Sequence, residues 1–176
     1  MNTHIQSIDG EIDRHDALGL AHLVRTRQVS ASELLEAVID RAERLNPQLN
    51  FIATRIYDQA RAVAAKPRFT GIFAGVPLAV KELGAMVSGV ATTCGSRMMA
   101  GAVAPFDNEF VIRLRAQGFN LFCTTTAPEM GAQFRHRVCV AWRDAQSLES
   151  QIDSGRVERR VGRPGGVRCR ADRARE

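Results

Sequence analysis

From residue 16 to residue 65 apolar positions recur at helical spacing, and beyond residue 75 they gather into short runs separated by glycine and hydroxyl residues. Asp16–Arg27 predicts a first helix, capped by Asp16, with Leu18, Ala21, Leu23 and Val24 turned inward. Ser30-Ala31-Ser32-Glu33 fits a capping box, in which the serine meets early N–H groups and the glutamate reaches back. The helix it opens carries Leu34, Leu35, Val38, Ile39, Ala42 and Leu45 as one apolar stripe, and Asn46-Pro47 is expected to end it. Phe51–Ile56 is a short β-favouring run. Tyr57–Ala65 returns to helical composition, and Lys66-Pro67 stops it. This first part predicts an amphipathic helical layer without chemistry of its own.

The second part changes rhythm. Leu78–Lys81 predicts a strand entered through Gly75-Val76-Pro77, a place where proline is tolerated. Gly84–Gly101, rich in glycine, serine and threonine, suits a loop that lets backbone approach a ligand. Asp107 then caps a helix with Phe110, Val111 and Leu114 inward, Gly118 closes it, and Phe119–Cys123 forms a second strand. Strand, helix, strand in that order predicts a right-handed crossover between parallel strands. Residues just after the C-terminal ends of such strands face the usual ligand crevice, and Lys81 and Thr124–Thr126 are placed there.

Composition limits the classes open to such a chain. Its 176 residues suffice for one domain with a core. No run of about 18 apolar residues suggests a membrane span, and Met1–Asp16 lacks the apolar stretch of a secretory signal. The four cysteines, at 94, 123, 139 and 169, are scattered, which reads as a reduced, cytoplasmic protein rather than a disulfide or zinc framework. His4, His15 and His22 lack metal-ligand spacing and read as ordinary polar surface. The net charge of +5 lies wholly in residues 135–176, which hold 11 arginines and no lysine against 6 acidic residues; residues 1–134 are neutral overall.

Lys81 is the candidate with chemistry. A lone lysine at a strand end is ordinarily a solvated charge, with Glu82 as a salt-bridge partner. Yet this one ends an apolar run, so its stem is expected to enter the interior, and it is one of only two lysines beside 22 arginines. Arginine hardly loses its proton, whereas a desolvated lysine can act as a base.

Four motifs then occur in order. Gly75-Val76-Pro77-Leu78-Ala79-Val80-Lys81-Glu82, Thr92-Thr93-Cys94-Gly95-Ser96, Pro105-Phe106-Asp107 with Val111-Ile112-Arg113-Leu114-Arg115, and Thr125-Thr126-Ala127-Pro128-Glu129-Met130-Gly131 together resemble the N-terminal part of the amidase signature family, over residues 8–134. The wording of Gly84–Gly101 is nearest to the branch that holds the cyclic nylon-oligomer hydrolases. The resemblance implies an α/β fold, a mixed and largely parallel sheet wrapped by helices, of which this chain holds an incomplete N-terminal portion. It implies hydrolysis of the C–N bond of a small-molecule amide, linear or cyclic, by a Ser–cis-Ser–Lys triad without cofactor, with Lys81 as general base. Cys123-Thr124 departs from the family, which commonly has Gly-Lys there.

In that family the two serines of the triad belong to a G-G-S-S-G-G-S region, then a D-G-G-G-S-I-R-like segment further on, which should follow Phe134; the chain instead continues into an arginine-rich tail. Codons chosen for Asp153–Arg163 and read one base later spell T-P-G-G-S-S-G-G-S-A. The same operation on His136–Ser150 permits T-E-S-V-L-H-G-A-T-R-N-P-W-N. The expectation is a one-base shift near Phe134–Arg135. Residues 1–134 are then the start of an amidase domain, and residues 135–176 an out-of-frame, disordered tail. The chain as written would be inactive and poorly stable. The alternative is a non-catalytic protein that uses the tail to bind nucleic acid or an acidic surface; the tail has one aromatic residue, Trp142, and no binding fold, which disfavours nucleic acid. Oligomeric state is not legible.

Overall fold

The structure is a computed structural model that describes residues 2–66 and 69–132, the first six of these as backbone only. The expected end of the fourth helical stretch at Pro67, Cys139, Cys169 and the whole of the tail lie outside the described residues. Helices α1 (Asn2–Arg14), α2 (Ala17–Arg25) and α3 (Ala31–Leu49) come first, followed by strand β1 (Ile52–Arg55) and helix α4 (Tyr57–Ala64). Then come β2 (Pro77–Lys81), α5 (Glu109–Ala116) and β3 (Asn120–Thr125).

The strands form one sheet in the order β1-β3-β2. β2 and β3 are parallel, with α5 between them in sequence, as the strand-helix-strand pattern predicts. β1 runs antiparallel to β3. The sheet is therefore mixed, and α/β is the fold class.

Helices and loop cover it from two sides. Leu35, Ile39 and Ala42 of α3 and Ala60 and Ala64 of α4 pack with Ile52, Phe122 and Cys123. A second cluster joins Val80 and Leu121 of the sheet to Val111 of α5 and to Ala85, Val87 and Val90 of the long loop. A third seats Ile8, Leu20, Ala21 and Leu23 on Leu34 and Ala37 of α3. Among the described residues no helix is long and apolar enough to cross a membrane.

The helix signals hold where the cap is chemically explicit. Asp16 accepts from the Gly19 N–H at 2.8 Å. At α3 the Ser30 hydroxyl receives the Glu33 N–H, and Glu33 in turn accepts from the Ser30 N–H. The structure corrects five expectations. The stretch before Asp16, for which the pattern predicts no element, forms α1, whose Ile8 is buried and whose Asp9 and Asp13 meet Arg44 and Arg41 of α3. Leu18 is not inward but 53% exposed, because the buried face of α2 is centred on Leu20, Ala21 and Leu23.

Pro47 does not end α3, which runs on to Leu49. Proline forfeits its own N–H bond and crowds the carbonyl four residues earlier, a local cost that this 19-residue helix tolerates. The Asn46 carbonyl is used by the Asn50 N–H at 2.7 Å, and Asn50 supplies the left-handed cap. The Asn46 side chain also accepts from the Ile52 N–H and so fixes the turn into β1. Finally, α5 is capped by Asn108, whose side chain accepts from the Val111 N–H, and not by Asp107. Asp107 instead accepts from the Ser88 N–H and pairs with Arg115, and Phe110 is exposed while Val111 is buried.

Gly118 does close α5, and space leaves no other residue there. Its φ is +93°, and a Cβ would stand 2.4 Å from the Thr70 carbonyl oxygen. That approach lets Phe73 and Gly75 donate to the carbonyls of Gln117 and Gly118, which lays the entry to β2 beside the start of β3.

Candidate active site

β2 ends at Lys81, which stands in register with Thr125, the last residue of β3. The two strand ends therefore lie side by side. The ladder continues one step further, because the Glu82 N–H donates to the Thr125 carbonyl at 2.9 Å. Thr124 and Thr126 are buried on either side of that position.

The Lys81 side chain does not enter the interior. It is exposed, while Glu82 is buried at 4% exposure. Alternation along an extended backbone accounts for this, since Val80 and Glu82 bracket Lys81 and both are buried. Glu82 is not a salt-bridge partner of Lys81 either. Its Oε1 accepts from both the hydroxyl and the backbone N–H of Thr93. Among the described residues Lys81 forms no ion pair.

The long loop is more closely tied than its composition suggests. Ala85, Val87 and Val90 are buried, and the Gly89 and Ala104 N–H groups hold the two arms together through Ala104 and Val90 carbonyls. Its far end is the Thr93–Ser96 turn, in which Cys94 and Gly95 take successive positive φ values of 48° and 68°. The Gly95 N–H donates to the Thr93 hydroxyl and the Ser96 N–H to the Thr93 carbonyl.

A second carboxylate meets this turn from the other strand. The Ser96 hydroxyl, buried, donates to Glu129 Oε1 at 2.9 Å, and the Met130 N–H donates to the Cys94 carbonyl at 2.8 Å. Three of the four sequence motifs thus converge: Lys81-Glu82, Thr93–Ser96 and Thr125–Glu129 surround one strand-end. Sequence reasoning does not reach the Ser96–Glu129 pairing. The signal available is two polar residues in two motifs flanking the expected crevice, and only the fold brings them within bonding distance.

Beside the site a groove of about 420 Å³ runs along the outer edge of β2, lined by Lys81 together with Leu78, Leu83, Phe110, Leu114 and Phe119. Cys123, where the resemblance departs, is wholly buried, and burial pushes its thiol up to about 12. The neighbouring Thr124 hydroxyl is buried without a hydrogen-bond partner among the described residues. Among those residues no cluster of three or more His, Cys, Asp or Glu could hold a metal ion.

Comparison with known proteins agrees with this fold. The 6-aminohexanoate-cyclic-dimer hydrolase of Paenarthrobacter ureafaciens is 38% identical over 120 residues, which cover 67% of this chain and 24% of that protein. The lipoamidase of Enterococcus faecalis is 35% identical over 129 residues, covering 72% of this chain and 18% of that protein. A solved structure of 6-aminohexanoate cyclic dimer hydrolase superimposes with a TM-score of 0.70 at 34% identity, over 75% of this chain and 27% of its own. The chain thus spans about a quarter or less of the length of these two relatives. Residues 33–139 match the family described as Amidase, and the chain belongs to that family, the amidase signature proteins.

Proposed function

We propose that this chain carries the base-bearing N-terminal portion of an amide hydrolase, with Lys81 as the general base. The observation that carries the reading is the placing of Lys81 at the end of β2, in register with Thr125 and beside the hydroxyl-bearing Thr93–Ser96 turn. In the mechanism that the family resemblance implies, the lysine takes a proton from a bridging serine. That serine deprotonates a second serine, which attacks the amide carbonyl. Backbone N–H groups stabilise the oxyanion, the amine leaves, and water releases the acid from the acyl-enzyme. The substrate class is a small-molecule amide, linear or cyclic. The name of the 38%-identical relative supports the cyclic case.

Neither serine motif stands in this sequence as written. Without its serine partners, Lys81 alone cannot run acyl transfer. Residues 1–134 form the start of the amidase domain and residues 135–176 an out-of-frame tail, a reading supported by the two serine- and proline-bearing motifs that one shift in frame recovers. We place the intact enzyme in the cytoplasm on the strength of its scattered cysteines.

Purified as 176 residues, the chain should not hydrolyse the 6-aminohexanoate cyclic dimer. Restoring the frame after Phe134 should produce turnover, and Lys81→Ala should then lower kcat by about 10²–10⁴-fold. Turnover by the 176-residue chain that disappears in Lys81→Ala would refute its inactivity. A frame-restored enzyme indifferent to Lys81→Ala would refute the assignment of the base.

A further inference from the structure

We propose that Glu82 and Glu129 are positioning residues, two carboxylates that clasp the Thr93–Ser96 turn from two adjacent strand-ends and so set the surroundings of Lys81. The inference deepens the proposed function and rests on Lys81 being the base of that site.

The argument begins with burial. Glu82 and Ser96 are each 4% exposed and Glu129 is half-buried, so the Glu82 bonds are sheltered from bulk water and the Ser96–Glu129 bond partly so. A carboxylate withdrawn from solvent costs free energy unless donors meet it. At Glu82 the donors are the Thr93 hydroxyl and N–H. At Glu129 the donor from the turn is the Ser96 hydroxyl. The turn between these points holds Cys94 at a φ of 48°, a conformation costly for a side-chain-bearing residue. Fixing both ends over-determines that conformation. The clasps also leave Lys81 where the two strand-ends and the turn meet, since Glu82 follows it directly and Thr125 is its register partner.

The turn carries its own reporter. Cys94 is half-buried, whereas Cys123 is wholly buried. With Cys139→Ser and Cys169→Ser in the full chain, an aromatic disulfide reagent should label Cys94 and leave Cys123 protected. Glu82→Leu and Glu129→Leu should each speed Cys94 labelling roughly tenfold, as expected on losing a hydrogen bond to a charged acceptor. Glu82→Gln and Glu129→Gln, which keep an acceptor oxygen, should return the rate to within about threefold of the parent. A second reading comes from the two lysines, each giving one signal after ¹³C-methylation, assigned through Lys66→Arg. In Glu129→Leu the Lys81 signal should move and the Lys66 signal stay. Unchanged Cys94 labelling in the leucine variants would overturn the proposal. So would a motionless Lys81 signal, or a parent chain whose Cys94 and Cys123 label together. None of these measurements depends on turnover, so failure of the clasp and failure of the base assignment are separately visible.

Discussion

Glu43 shows how a single surface carboxylate can be held in place without burial. Arg55 donates to both its oxygens, at 2.5 and 3.0 Å, and the Tyr57 hydroxyl adds a third bond at 2.6 Å. These donors hold the Glu43 carboxyl well below its ordinary value of 4.5, at about 2. A carboxylate depressed on folding contributes stability above its unfolded value and loses it as pH falls through its folded one. Glu43→Gln should therefore lower Tm at pH 6, and the difference from the parent should shrink between about pH 4.5 and 2. The effect should be modest, because the side chain is 38% exposed and water screens the pair. A Tm difference constant with pH would contradict this. At the same scale, Lys81 is legible in the sequence but its surroundings are not. The identity of a lone lysine is printed in the chain, whereas its exposure follows from the alternation of β2, and the partner of Glu82 from a fold 11 residues further on.

Elements obey local chemistry until a neighbour offers more. The capping box of α3 is legible because both partners lie within four residues. At α5 two adjacent residues could serve as cap, and Asp107 is drawn away by Ser88 and Arg115, leaving Asn108. No local rule distinguishes them, since Ser88 is 19 residues distant. α1 escapes the sequence reading although Ile5, Ile8 and Ile12 stand at helical spacing; its polar face is stabilised by Arg41 and Arg44 of a different helix. Gly118 lies at the joint of two elements and is legible as a helix end, but only as that. Its second task, admitting the Thr70 carbonyl, makes Gly118→Ala costly by about 2–3 kcal/mol, from a forbidden φ and a backbone clash together. Urea denaturation should find that loss. A loss below about 0.5 kcal/mol would mean that the 70–76 segment does not hold the two strands together as described.

For the whole molecule, the question is which surfaces are left open. In the three-stranded sheet β2 is an edge among the described residues. Phe106, Phe110 and Ile112 are each at least 50% exposed, and an apolar groove runs along β2. Unpaired strand edges and exposed apolar side chains favour self-association. The chain should therefore sediment as concentration-dependent higher species, and Phe110→Lys with Ile112→Glu should reduce them. A monomer up to millimolar concentration with a sharp melt would refute the expectation. The parallel pairing is legible because crossover rules leave few choices, while the antiparallel β1 is not, since nothing in Phe51–Ile56 names a partner about 70 residues away. That sheet order has a consequence for synthesis. Of the three strands the one made last, β3, is central, and among the described residues β1 and β2 pair only with it. On the ribosome α1, α2 and α3 can pack as soon as they emerge, but β1 and β2 must wait, extended and unpaired, until residue 125 clears the exit tunnel. The end of β2 that carries Lys81 gains its strand neighbour only with the residue that completes β3.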